Sequence, residues 1–209
     1  MIKDRRNGTG QDSILQERVL AMAREKGILR TRDLIKAHVP RVILTRLCRR
    51  ERLTRLGRGL YALPEADITE SHSLAEVSRK MPHGSICLLS ALRFHGLTTQ
   101  APFEVWVAID RKARKPRVSH TPLRVVRFSG QARIYGVEEH IVENVRVRVT
   151  SSAKTVADCF RYRKKIGLDV ALESLREYRR AGKSRDALWR AAKVCHVLSV
   201  MRPYMEAIE

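Results

Sequence analysis

Two alternating stretches, Leu53-Thr54-Arg55-Leu56 and Leu60-Tyr61-Ala62-Leu63, flank the tripeptide Gly57-Arg58-Gly59. Alternation at period two marks half-buried strands. The two glycines supply the positive backbone angles of a tight hairpin tip, which leaves Arg58 pointing into solvent. The inner side of such a hairpin must pack on something, and the preceding residues read as three short helices. Asp12 or Ser13 caps the first; Leu15, Val19, Met22 and Ala23 line its inner side and Gly27 closes it. Thr31 caps the second, with Leu34, Ile35 and Ala37 behind it. Pro40 suits the first turn of the third, where Ile43, Leu44, Leu47 and Cys48 share one face and Val42, Thr45, Arg46 and Arg49 the other.

Three short helices followed by a basic hairpin form the winged helix-turn-helix arrangement. A third helix of this kind enters the major groove, where guanine presents two acceptors to a bidentate arginine. Arg46 and Arg49 suit that role, Thr45 can donate to a phosphate or base, and Val42 can touch a thymine methyl. Arg41 is a further candidate DNA-binding residue and Arg32 a possible phosphate contact, and the wing arginines Arg55 and Arg58 suit the sugar–phosphate rail or the minor groove. Between Arg41 and Arg58 the chain carries seven arginines and one acid, Glu51. A solvated basic face on a packing domain is the bland alternative. The chain-wide charge of +20 favours a polyanionic partner, of which nucleic acid is the commonest.

The charge is uneven. Residues 1–64 hold 16 basic and 6 acidic side chains, and residues 65–209 hold 26 and 16 over more than twice the length. The drop falls at Leu63-Pro64-Glu65-Ala66-Asp67, where the periodic pattern also breaks. The expected organisation is therefore a winged helix-turn-helix domain over 1–64 and a mixed α/β domain over 65–209, an α+β chain overall. In the second segment the residues predict a helix from Ile68 to Met81, a short strand over Ser85–Leu89 and a helix over Ser90–His95. Strands follow over Phe103–Ile109 and Leu123–Phe128, and then a hairpin arm bracketed by Gly136 and Asn144. Val145, Val147 and Val149 alternate with Arg146 and Arg148, giving one apolar and one basic face. Helices then take over, beginning at Ser151 or Ser152 and running to about Lys165, continuing between Gly167 and Gly182, and resuming at Ser184; Pro203 is expected to interrupt the last.

The run from Arg111 to Arg117 has six basic or proline residues out of seven and no large apolar anchor, which predicts a mobile loop. Arg111, Lys112, Arg114 and Lys115 either grip phosphates beside the winged helix or are simply solvated; the sequence leaves both readings open. The four cysteines lie 39, 72 and 36 residues apart, so none forms a zinc clip, and buried free thiols are expected. The basic N-terminus has no apolar stretch behind it and no window approaches a membrane span, so a soluble, cytoplasmic protein without a membrane partner is expected.

The span from Thr150 to Glu173 closely resembles the second domain of the AbiEi antitoxins, the antitoxin halves of type IV, abortive-infection toxin–antitoxin pairs. Cys87 to Leu92 with His95-Gly96-Leu97, Val105 to Ile109, and Val126 to Gly130 support it, and Leu53 to Tyr61 resembles the family's wing. The resemblance covers roughly residues 12–180. It implies a protein that binds operator repeats through its winged helix, represses its own operon, and neutralises a nucleotidyltransferase-like toxin encoded next door with the help of its second domain. The family has no established catalytic residues, so only the recognition-helix and wing positions carry over.

Enzyme readings fare worse. A nucleotidyltransferase needs a Gly-Ser turn followed by an Asp-x-Asp pair to hold two metal ions; Gly84-Ser85 is present, and no Asp-x-Asp follows. Asp110-Arg111-Lys112 imitates the end of a metal-dependent nuclease signature, but Glu104 on the same strand would stand about 20 Å away, which leaves Glu138, Glu139 or Asp158 as partners. The seven histidines show no i, i+4 pair, and no metal or cofactor is expected. Lys154 and Asp158, one helical turn apart, read as an ion pair. The expectation is a non-enzymatic DNA-binding antitoxin and autorepressor, acting as two copies on an inverted repeat. The rival is an ordinary regulator whose second domain binds a small ligand or another partner.

Overall fold

The inner stripe of the first helix folds as its spacing requires: Val19, Leu20 and Ala23 are buried on α1 (Asn7–Lys26) against Leu34 of α2 (Thr31–Lys36) and Ile43, Leu44 and Leu47 of α3 (Val42–Arg49). The computed structural model that shows this describes residues 7–64, 71–114 and 121–207. Between α1 and α2 lies a two-residue strand that periodicity is too short to reveal, β1 (Leu29–Arg30). It pairs antiparallel with β3 (Leu60–Ala62), which pairs in turn with β2 (Thr54–Gly57), giving a sheet of order β1-β3-β2.

Three local expectations change. Helix α1 begins at Asn7, not at Asp12 or Ser13, so Asp12 sits inside it and is free to face α3. Pro40 stands before α3, whose cap is Arg41. Gly57 belongs to β2 and is buried, because the register slips between Arg55 and Gly57; Gly59 alone of the two wing glycines has a positive φ, +74°.

The second segment supplies α4 (His72–Lys80), β4 (Ser85–Ile86), α5 (Leu88–Phe94), β5 (Val105–Asp110), β6 (Leu123–Phe128), α6 (Gln131–Ile134), β7 (Val137–Val142) and β8 (Val145–Thr150). After them come α7 (Ser152–Arg161), α8 (Arg163–Ile166), α9 (Leu168–Arg180), α10 (Arg185–Val194) and α11 (Leu198–Ala207). The mixed sheet has order β6-β5-β4-β8-β7, with β5–β6 and β4–β8 parallel and β4–β5 and β7–β8 antiparallel. Both faces are covered, which explains why Val105 to Ile109 is one unbroken apolar run. Trp106 and Ala108 face a core built with α5, α7, α9, α10 and α11. Val105, Val107 and Ile109 face the opposite core, where α4, β8 and the winged-helix residues Ile28 and Leu60 pack together.

Here too some boundaries move. The strand expected over 85–89 stops at Ile86, because the Cys87 N–H bonds Trp106 O and Leu88, at φ +47°, already turns into α5. The helix expected from Ile68 is seen from His72, residues 65–70 lying outside the described part. Tyr162 divides the helix expected to reach Lys165. Pro203 does not end its helix: it is exposed on α11, while Met201 and Met205 on the inner side hold that helix in the core.

Contacts across residue 64 fix the winged-helix unit on the rest. The β7–β8 hairpin turns through Glu143 and Asn144, both with positive φ, a tight two-residue loop. Its tip meets the end of α1, where the Asn144 side chain donates to Arg24 O at 3.2 Å. Gly27, at φ +62°, lies so close that a Cβ there would come within 1.8 Å of Glu143 O. No helix among the described residues is long and apolar enough to cross a membrane.

Candidate nucleic-acid interface

On α3 the apolar half is sealed and the other half is open. Ile43, Leu44 and Leu47 are buried; Val42 is 48 % exposed, and Arg41, Thr45, Arg46 and Arg49 are exposed. The half-buried Cys48 completes the inner side, its thiol raised by burial against the easing charge of Arg55. The helix therefore exposes its Arg46–Arg49 side, as the sequence spacing requires.

The structure also shows how those arginines are held. Arg46 pairs with Asp12 on α1. Arg50 Nη1 donates to Gln16 Oε1 at 2.9 Å, and Arg52 Nη1 pairs with Glu17 at 3.2 Å. Three basic residues at and just after the end of α3 are thus tied to successive turns of α1. On the wing, Arg58 is exposed beside Gly59, while Arg55 Nε turns back to Gly57 O at 3.3 Å. Arg32 is exposed on α2.

The basic loop is organised where it is described. The Arg127 guanidinium donates through Nη1 to the carbonyls of Asp110, Arg111 and Ala113 at 3.2, 2.7 and 2.9 Å. Asp110 Oδ1 accepts the Lys112 N–H at 2.9 Å. Residues 111–114 are thus tied to β6 through Arg127, and Arg111, Lys112 and Arg114 remain exposed. Lys115 lies outside the described residues.

The carboxylates of the nuclease reading are not brought together. Glu104 pairs with Arg124 at 2.7 Å, Asp110 with Arg133 at 3.2 Å and Glu139 with Arg146 at 3.5 Å. Among the described residues no group of three His, Cys, Asp or Glu side chains could hold a metal ion. Lys154 and Asp158 do form the expected ion pair, at 2.6 Å, but the pair is wholly buried. Cys195 donates its thiol to the other carboxylate oxygen at 3.2 Å, and Lys154 Nζ lies 4.6 Å from the Phe128 ring centre. Burial raises the Asp158 carboxyl above its ordinary value even though Lys154 pulls it down. Burial, then the Asp158 charge, pushes the Cys195 thiol up to about 12. Inert thiols fit that environment.

What sequence reading missed is the junction between the winged-helix unit and α4. Asp33 of α2 is buried and accepts the Arg30 backbone N–H at 2.9 Å. The same carboxylate accepts Arg79 Nη2 of α4 at 2.9 Å, while Arg79 Nε donates to Ile28 O at 2.6 Å and Arg30 Nη1 to Arg79 O at 2.9 Å. Burial by itself would raise the Asp33 carboxyl, but the Arg30 N–H, the Arg30 side chain and the Arg79 charge hold it below its ordinary value. One signal was legible: an acid three residues after Arg30 in a capping position. The partner 46 residues away was not.

Three helices and a β1-β3-β2 sheet whose hairpin ends in an exposed arginine define a winged helix-turn-helix unit, carried on an α+β body. Residues 17–64, which span nearly all of that unit, match the family described as transcriptional regulator, AbiEi antitoxin. The stretch from Thr150 to Glu173 lies outside the matched residues. The whole chain is similar in fold to the crystal structure of the RV2827C protein from Mycobacterium tuberculosis, with a TM-score of 0.52 and 13 % identity over 94 % of this chain and 82 % of that one. No curated protein matches the sequence.

Proposed function

We propose that this protein is a DNA-binding antitoxin and transcriptional autorepressor of a type IV toxin–antitoxin operon, acting in the cytoplasm and not as an enzyme. In this reading residues 1–64 are the DNA-binding domain and residues 65–209 a second domain that supports neutralisation of a nucleotidyltransferase-like toxin. Arg46 and Arg49 read base edges, Val42, Thr45 and Arg41 are further DNA contacts, Arg55 and Arg58 contact the sugar–phosphate rail or the minor groove, and Arg32 is a possible phosphate contact. Arg111, Lys112, Arg114 and Lys115 are further phosphate candidates. Two copies occupy an inverted repeat.

The observation that carries the DNA-binding part is the exposed Arg41–Arg49 side of α3 within the segment that matches the AbiEi regulators. Gel shifts on the DNA upstream of the chain's own gene test it. Arg46→Ala or Arg49→Ala should cost about 1–3 kcal/mol and relax sequence preference, whereas Arg55→Ala or Arg58→Ala should weaken all sequences evenly. No loss for either class overturns the reading. Affinity should also fall with salt by about 0.9 log units per decade for each phosphate neutralised.

A second reading, a regulator whose body binds a small ligand, is favoured by one observation: a cleft of about 520 Å³ between α4, α5 and the start of β5, lined by Ser71, Ser90, Arg93 and Glu104. The neighbouring reading frame separates the two. A frame with Gly-Ser followed by Asp-x-Asp supports the antitoxin; a frame without it supports the plain regulator.

A further inference from the structure

Where the winged-helix unit meets the body, the structure leaves a crevice of about 230 Å³ lined by four arginines, Arg30 from β1, Arg79 from α4, and Arg146 and Arg148 from β8, together with Ser78 and Glu139. Its origin lies in the sheet. β4 is only two residues long and meets β8 at Ile86↔Val149, so the Val145–Arg148 half of β8 runs past it toward the junction. The alternation of β8 then delivers two arginines to a place where Arg30 and Arg79 already converge on Asp33.

The charges do not balance. Among the described residues, four guanidinium groups face two carboxylates: Asp33, held by Arg30 and Arg79, and Glu139, 3.5 Å from Arg146. Two positive charges remain in a concave place where Arg30 and Arg79 are largely buried, Arg148 is half-buried and Arg146 stands open at the mouth, its side chain 72 % exposed. Among the described residues Arg148 makes one long hydrogen bond, from Nη1 to His83 O at 3.4 Å. Burial and then the charge of Arg30 pull Arg79 below the ordinary guanidinium value despite Asp33. An added anion relieves that repulsion, and planar guanidinium forks match the oxygen geometry of a phosphate two bonds at a time.

We propose that this junction crevice is a binding site for a phosphate group, gripped by Arg146 and Arg148 with Arg79 and Arg30 at its back and the Ser78 hydroxyl as a further donor. The volume takes one phosphate with room for a second or for a small phosphorylated carrier. The group comes either from a duplex backbone lying along the junction or from a free phosphorylated molecule. Because Arg30 and Arg79 also hold Asp33, an occupied crevice draws the winged-helix unit and the body together. The site stands on its own residues and does not depend on the operator reading.

The probe is inorganic pyrophosphate, titrated into the full chain without DNA at constant ionic strength and followed by calorimetry and melting temperature. The Arg146→Ala/Arg148→Ala variant leaves the Asp33 contacts intact; Arg176→Ala/Arg190→Ala removes two exposed arginines of α9 and α10 as the charge-matched control. A free-ligand site gives saturable one-to-one binding, weakened at least tenfold in the crevice variant and unchanged in the control, and it persists with saturating duplex present. A backbone-phosphate site gives a salt dependence of duplex binding that is shallower in the crevice variant than in the control by about 0.9 per lost contact, with pyrophosphate competing against the duplex. If the two variants behave alike in both arms, the proposal is overturned.

Discussion

Replacing Asp33 with Asn keeps a side-chain oxygen for the Arg30 N–H but removes the charge that Arg30 and Arg79 share. The size of the effect follows from exposure. Pairs between solvent-exposed groups contribute about 0–1 kcal/mol, whereas losing one partner of a buried pair costs about 3–5 kcal/mol. The Asp33 side chain is 6 % exposed and those of Arg30 and Arg79 are 17 % and 18 % exposed, which places this junction between the limits. Asp33→Asn should therefore cost about 2–3 kcal/mol at pH 7, and Asp33→Ala about 1 kcal/mol more, since it also loses the cap. The pH dependence has a definite sign. Asp33 titrates lower in the folded protein than in the unfolded chain, so its contribution is present above an unfolded value of about 3.9 and is lost as pH falls through the lower folded value. Urea melts of the full chain and the Asn variant at pH 7 and below pH 4 measure this. Amide exchange at the Ile28–Asp33 segment should accelerate in the variant. A deficit under 0.5 kcal/mol, or one that stays constant into acid, would refute the argument that this carboxylate fastens the winged-helix unit to the body.

Three further perturbations follow from the same contacts. Lys154→Met strands Asp158 in the core and should cost about 3–5 kcal/mol at pH 7, while Lys154→Met/Asp158→Leu recovers most of it. Because burial already raises Asp158 and the loss of Lys154 raises it further, the deficit should be smallest near pH 4 and grow as pH rises through the raised value; a flat deficit from pH 4 to 8 counts against it. Gly27→Ala should lower the melting temperature well beyond Gly182→Ala, although both glycines have φ +62°, because a Cβ at 27 would strike Glu143 O and one at 182 meets nothing within 4 Å. Strain alone is worth about 1–2 kcal/mol, so equal losses would discard the clash. Asp12→Ala releases Arg46 from a competing carboxylate and should tighten duplex binding by up to about 1 kcal/mol; a weakening comparable to Arg46→Ala would show instead that Asp12 positions the arginine.

Much of the winged-helix unit was legible in the residues because its signals are local. The spacing of Ile43, Leu44 and Leu47 sets which side of α3 is buried, and therefore which side presents Arg46 and Arg49, whatever else the chain does. The hairpin around Arg58 follows from alternation and glycine in the same way, and so does the basic side of β8. Where local signals were ambiguous, tertiary context decided. α1 begins five residues before its plausible cap, and Asp12, inside it, pairs with Arg46 of α3 instead of capping. Pro203 was carried inside a helix because Met201 and Met205 anchor it on the core side.

Apart from the Asp33 cap, the junction lay beyond sequence reasoning. Nothing in the order of residues joins Asp33 to Arg79, Gly27 to Glu143, or Arg30 to Arg146 and Arg148; each meeting depends on how a five-stranded mixed sheet places the ends of its strands and helices. The same holds for Lys154 and Asp158, whose four-residue spacing foretold a pair but not its complete burial against Cys195, 41 residues on. Periodicity reports which side of an element is apolar, because that is a property of neighbours along the chain. Which charges become enclosed together is a property of neighbours in space, and only the folded sheet fixes those.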